Sequence, residues 1–179
     1  MNPYAQPQIR PTTADDAAEV VALFDDAVAW MNTNGNTQQW GSKPWSQIPA
    51  RVEKITGWCA EGHSGWVSML PDGRIGGFLV VGDAHPYVPA ATGSELYIMA
   101  LIASRADEAR GHGRRLLQHA DELAANDGIN ELRVDCWAGG GGNLVRFYES
   151  AGYVKDSTFK VKEWPGQILT RSLAVARGA

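Results

Sequence analysis

Cysteine is scarce in this sequence. Of 179 residues only Cys59 and Cys136 carry a thiol. Two cysteines so far apart make neither a disulfide framework nor a zinc site, and a reducing, cytoplasmic setting suits them best. Histidine is scarce too, with four scattered residues, so no metal is expected. Long apolar runs are missing. The longest, Leu96 to Ala103, has eight residues, whereas a helix needs about 20 to cross a bilayer. Met1 to Pro11 is polar and proline-rich, without the apolar stretch of a signal peptide. No membrane partner is therefore expected. An excess of positive charge is also lacking. Sixteen Lys and Arg against 20 Asp and Glu give a net charge of −4, which argues against a nucleic-acid partner.

What is present looks globular. Hydrophobic residues make up 44% and charged residues 20%, which excludes a disordered chain, a fibre and a collagen-like repeat. The length suits one domain, residues 1–179, with a core that needs no staple.

Gln8 to Pro11 reads as a short strand, and Thr13 as a helix N-cap with Asp15 and Asp16 in the first turn. Val20, Leu23, Phe24, Ala27 and Met31 then recur at helical spacing. Pro44 opens a second helix, with Ile48, Val52 and Ile55 on one side, and Gly62 to Gly65 breaks it. Trp66 to Leu70 and Ile75 to Val81 are strands joined by the turn Pro71-Asp72-Gly73. After a loop from Gly82 to Gly93, Ser94 to Ala103 forms a strand whose continuous apolar stretch implies burial on both faces.

Gly111 to Asp127 is a strong helix, with Gly128 suited to its C′ position. Glu131 to Trp137 is a strand with Leu132, Val134 and Cys136 pointing inward. Ala138 to Gly142 is a loop, and Asn143 to Ala151 a helix stopped by Gly152. Two last strands, Val154–Lys162 and Gln167–Leu173, flank a turn at Trp164-Pro165-Gly166. The order β-α-α-β-β-β-α-β-α-β-β gives an α/β fold, a mixed central sheet flanked by helices. Its strand–helix–strand centre implies one parallel pair.

Chemistry gathers at Arg110-Gly111-His112-Gly113-Arg114-Arg115, between a buried strand and a helix. The first helical N–H groups have no internal partner, and the dipole is positive there. Two glycines let the loop wrap a ligand oxygen, and three arginines add charge. The sum is an anion cradle suited to phosphate.

The strand Glu95 to Ala103 precedes this loop, and Val134-Asp135-Cys136-Trp137-Ala138-Gly139 and Leu144-Val145-Arg146-Phe147-Tyr148-Glu149-Ser150-Ala151-Gly152-Tyr153 follow it. Together these segments, Glu95 to Tyr153, resemble the GNAT superfamily of N-acetyltransferases. Two positions depart from its pattern. Glu108 stands where the loop usually has Gln or Arg, and Gly141 where many relatives have an Asn that Asn143 would replace.

The resemblance implies acetyl-CoA as co-substrate and no metal. Its pyrophosphate would lie on Arg110, Gly111, His112, Gly113, Arg114 and Arg115. Its pantetheine arm would run along the backbone of Leu101, Ile102 and Ala103, where the next strand splays away. An amide of that strand would polarise the thioester carbonyl. Tyr148 would then protonate the departing thiolate, its phenol pKa near ~10 suiting that transfer. For the general base the residues offer two carboxylates, Glu95 and Asp135, each equally readable as structural, and His85, which reads more readily as a surface loop residue.

Trp30, Trp40, Trp45 and Trp137 are readable as acceptor-site walls or as core. The expected activity is N-acetylation of a small-molecule primary amine in a ternary complex. Two alternatives stand beside it: acetylation of a protein N-terminus or lysine, and a non-catalytic acyl-CoA-binding domain. Dimers are common in the superfamily, so a homodimer is among the implied arrangements.

Overall fold

The computed structural model describes residues 7–60 and 62–173. Its strands are β1 (Gln8–Pro11), β2 (Gly65–Met69), β3 (Ile75–Gly82), β4 (Leu96–Ala103), β5 (Glu131–Trp137), β6 (Val154–Val161) and β7 (Trp164–Ser172). Its α-helices are α1 (Ala17–Thr33), α2 (Pro49–Cys59), α3 (His112–Asn126) and α4 (Asn143–Ser150). The element order is the one expected. The strands form one seven-stranded sheet in the order β1-β2-β3-β4-β5-β7-β6. β4 and β5 are the parallel pair, and β1–β2, β2–β3, β5–β7 and β6–β7 are antiparallel.

The chain divides into two compact units. One comprises Met1–Val80 and Ala100–Leu116, the other Val81–Met99 and Leu117–Ala179.

In the first unit α1 buries Val20, Leu23, Phe24, Ala27, Val28 and Met31, the helical spacing anticipated. Its entry differs from expectation. Thr13 caps a short 3-10 turn, Ala14–Asp16, and α1 starts after it with Asp16 at the N-cap. Asp16 accepts a 2.7 Å bond from the Thr13 amide and two 2.8 Å bonds from Arg10. Pro44 likewise precedes a 3-10 turn, Trp45–Gln47, and α2 begins only at Pro49, a favoured first-turn position for proline. Phe24 stacks on Trp45 at 4.2 Å, and Trp40 leans on both rings. Trp45 is therefore core.

In the second unit the core gathers Val88, Tyr97 and Ile168, with Met99 and Phe159 against them. The β6–β7 hairpin turns two residues earlier than Trp164-Pro165-Gly166 suggested. Val161 pairs Trp164, so Lys162 and Glu163 form the turn, Lys162 at φ 54°. A register shift between Lys155 and Thr158 puts a bulge in β6.

Candidate active site

In the first unit a 3-10 turn, Asp107–Ala109, carries the chain from β4 to the glycine corner. Gly111 sits at φ 89°, a conformation that side chains with a Cβ resist. α3 starts at the next residue, and its first intrahelical bond at this end is Arg115 N–H to the Gly111 carbonyl, 3.0 Å. Helix geometry then leaves the amides of His112, Gly113 and Arg114 pointing out of the N-terminus, at the positive end of the dipole. Arg110 and Arg114 are exposed, and Arg115 is half-buried.

His112 brings its backbone to this helix start. Its side chain turns inward and is 3% exposed. Nδ1 shares a 2.9 Å hydrogen bond with the Ser68 hydroxyl on β2. Burial holds the imidazole below its ordinary pKa, so the ring is neutral at pH 7. Gly76 and Gly77 of β3 make room for the first turn of α3. A Cβ on Gly76 would come 2.5 Å from His112 Nδ1, and one on Gly77 2.8 Å from Leu116 Cδ1. The sequence reading missed this support, although paired glycines inside a strand signal a close approach.

β4 pairs β5 only from Leu96↔Leu132 to Ile98↔Val134. Leu101, Ile102 and Ala103 belong to the stretch of β4 past that ladder, with Ile102 buried and its neighbours half-buried.

In the second unit the glycine run Gly140–Gly142 lies at positive φ throughout, 60°, 73° and 75°, ahead of α4. Trp137 explains the first part of the run. A Cβ on Gly139 would lie 2.3 Å from its indole, and one on Gly140 2.7 Å. Arg146 donates to the Gly141 carbonyl and to Asn143 Oδ1, so the Asn143 side chain is engaged within its own helix.

Tyr148 lies on α4 and is 4% exposed. The residues after it form a helix stop. Gly152, at φ 89°, donates to the Glu149 carbonyl, and Tyr153 N–H to the Tyr148 carbonyl, 3.1 Å. This brings the Tyr153 ring 5.7 Å from that of Tyr148, edge to face. Burial pushes the Tyr148 phenol well above its usual 10, with Cys136 and Tyr153 adding to the shift, so it stays protonated.

The two candidate carboxylates differ. Glu95 faces Arg133, with Nε 2.6 Å from Oε2 and Nη2 2.8 Å from Oε1. The side chains are 14% and 6% exposed, and Arg133 also donates to the Pro89 carbonyl at 2.7 Å. Both Glu95 oxygens are therefore committed to the guanidinium. Asp135 accepts a hydrogen bond from the Tyr97 hydroxyl. Burial raises its pKa, and the Tyr97 bond and the nearby His85 oppose that rise. Tyr97 and Arg133 were overlooked in the sequence, where one reads as an apolar strand residue and the other as an outward one. Their adjacency is set by the parallel register, Tyr97↔Arg133.

Among the described residues no group of three His, Cys, Asp or Glu is placed to hold a metal ion, and no helix is long and apolar enough to cross a membrane.

The chain thus combines a parallel strand pair, a glycine-cornered helix start and a tyrosine-bearing helix in an α/β architecture. Residues 27–153 match the Acetyltransferase (GNAT) family, and the chain belongs to that family. Solved structures agree on the fold. One described as a putative phosphinothricin N-acetyltransferase has a TM-score of 0.68 at 19% identity, covering 94% of this chain and 99% of its own. The putative acetyltransferase yncA of Salmonella typhimurium, solved with acetyl-CoA, has a TM-score of 0.66 at 16% identity, with 98% of both chains covered. A ribosomal-protein-alanine N-acetyltransferase of Brucella melitensis has a TM-score of 0.67 at 20% identity, covering 93% of this chain and 99% of its own. Among curated proteins, none matches by sequence.

Proposed function

We propose that the chain is an N-acetyltransferase that uses acetyl-CoA to acetylate a primary amine of a small molecule in a ternary complex. Residues 1–179 would form one such domain, working in the cytoplasm. The family match from α1 to Tyr153 carries this reading. When bound, acetyl-CoA supplies an acetyl group already activated as a thioester.

The residues fit such a ligand. Gly111 at φ 89° and the amides of His112, Gly113 and Arg114 make a backbone site for phosphate oxygens, with Arg110, Arg114 and Arg115 adding charge. Relatives usually place Gln or Arg where Glu108 stands, so here the amides would hold the pyrophosphate unaided by that side chain. The stretch of β4 past the β5 ladder, Leu101 to Ala103, would offer backbone to the pantetheine arm and polarise the carbonyl. Asn143, engaged by Arg146, would contribute through the start of α4.

Tyr148 would give its proton to the leaving sulfur. Asp135 would take the ammonium proton that must be lost before attack, because Glu95 is held at both oxygens by Arg133. Direct attack is favoured over an acetyl-cysteine route. Cys59 and Cys136 are free but buried, and burial pushes their thiols up to about 11 and about 12, far from the reactive thiolate.

The test is thiol release from acetyl-CoA across a panel of small amines, amino acids and peptides. Turnover with a small amine supports the reading. Turnover confined to peptides would move the acceptor to protein. Acetyl-CoA binding without turnover on any acceptor would leave a binding domain.

A further inference from the structure

Tyr97 is fully buried, and its hydroxyl is aimed at the Asp135 carboxylate from the neighbouring strand. The ring is clamped on two sides. The Arg133 guanidinium lies 5.6 Å from its centroid, and the His85 ring meets it edge-on at 6.0 Å. Each clamp is itself fastened. Arg133 is held by Glu95 and by the Pro89 carbonyl, and His85 Nε2 lies 3.3 Å from the Met99 carbonyl. With its ring fixed, a phenol can aim its O–H in few directions, so the donor is preorganised.

We propose that Tyr97 is the positioning residue for the proton-accepting carboxylate, holding Asp135 Oδ1 so that the other oxygen meets the acceptor ammonium. The inference rests on the amine-acetylation reading above. The proton balance is simple. An ammonium N–H bond breaks, an O–H bond forms on Asp135, and the amine lone pair is freed for attack. The acid then returns its proton to solvent, and Tyr97 keeps its own throughout.

The chemistry requires such a donor. A half-buried carboxylate left to itself drifts toward the neutral form, which cannot take a proton. A hydrogen bond donated to the charged form opposes that drift. The other groups sensed by Asp135 are Arg133 on its own strand, His85 from the preceding loop, Cys136 beside it and Tyr148 from α4. These act on Asp135 through space, whereas Tyr97 donates a hydrogen bond to it.

The test is Tyr97→Phe in the full chain, which keeps the ring and removes the donor. Carbon-detected NMR follows the Asp135 carboxyl titration without substrate, and the acid limb of the kcat profile is measured with the best amine. Loss of a hydrogen bond to a charged group should raise both midpoints by about one pH unit. If Tyr97→Phe folds poorly, 3-fluorotyrosine placed at position 97, a stronger donor on the same ring, should lower both midpoints, and unmoved midpoints would overturn the proposal equally. An unmoved carboxyl titration in folded Tyr97→Phe would overturn the proposal. So would a titration that moves while the acid limb stays put, because Tyr97 would then be structural only. If the titration moves but the wild-type chain acetylates no amine, it is the proposed function that fails.

Discussion

Gly76 on β3 lies against His112, the first residue of α3, so closely that a Cβ would stand 2.5 Å from Nδ1 and 2.7 Å from Cε1. The imidazole and the glycine are fitted to each other, and the helix start rests on them. Gly76→Ala should destabilise the protein by about 1–3 kcal/mol, the usual cost of overpacking. It should also weaken acetyl-CoA binding, because His112 cannot yield without moving the cradle amides. A thermal melt and calorimetry on the variant check both. An unchanged melt would show that the ring has room to move.

The same histidine makes stability depend on pH. Its native pKa is held below 6.5 by burial, so the folded state binds fewer protons than the unfolded one. Its contribution is complete above pH 6.5 and is lost as the pH falls through the native value. Wild-type melting temperature should therefore drop more steeply below pH 6.5 than that of His112→Asn, whose amide can replace Nδ1. Parallel slopes for the two proteins would remove His112 from the pH response.

Tyr148→Phe removes only the hydroxyl of the proposed acid. General acid catalysis is typically worth ~10²–10⁴-fold, so turnover should fall on that scale while acetyl-CoA affinity and the melt change little. Near-normal turnover would assign the thiolate's proton to another donor.

Arg133→Met leaves the Glu95 carboxylate and the Pro89 carbonyl without the guanidinium that now satisfies them. Breaking a buried pair on one side costs about 3–5 kcal/mol. Denaturant unfolding should show that loss, and the double variant with Glu95→Gln should recover part of it. A single variant as stable as wild type would mean that water replaces the pair freely.

Gly111→Ala tests the corner itself. Among the described residues, chain neighbours aside, no atom lies within 4 Å of the added Cβ, so the penalty is the backbone at φ 89°. That strain, about 1–2 kcal/mol, should appear as roughly tenfold weaker acetyl-CoA binding if the corner relaxes. Unchanged affinity with a lowered melt would mean that the corner holds its shape under strain.

Much of this was legible from residue spacing. Element order followed from period and punctuation, because Pro71-Asp72-Gly73, Gly128 and Gly152 each stand where a turn or helix stop forms. The Gly152-Tyr153 pair has a physical meaning that spacing alone concealed: it closes α4 and seats one tyrosine on the other. Trp164-Pro165-Gly166 misled, since a composition typical of turns was overridden by strand pairing, with Gly166 beneath the Phe159 ring. Arg133 was out of reach for a different reason. Alternation predicts an outward side chain, and only the parallel register and the 82–93 segment reveal that this face is covered too.

The bulge in β6 bears on how the protein behaves at high concentration. A strand with only one partner offers unpaired amides to any other strand it meets. Here the pairing row is interrupted between Lys155 and Thr158, and Lys155, Asp156 and Lys160 stand exposed along it. At the other end of the sheet β1 has only four residues and finishes in Pro11, which has no amide to donate. Neither edge gives an incoming strand an uninterrupted run of hydrogen bonds. The exposed Val154 and Val161 can therefore sit at the ends of β6 without making it a template for amyloid-like stacking.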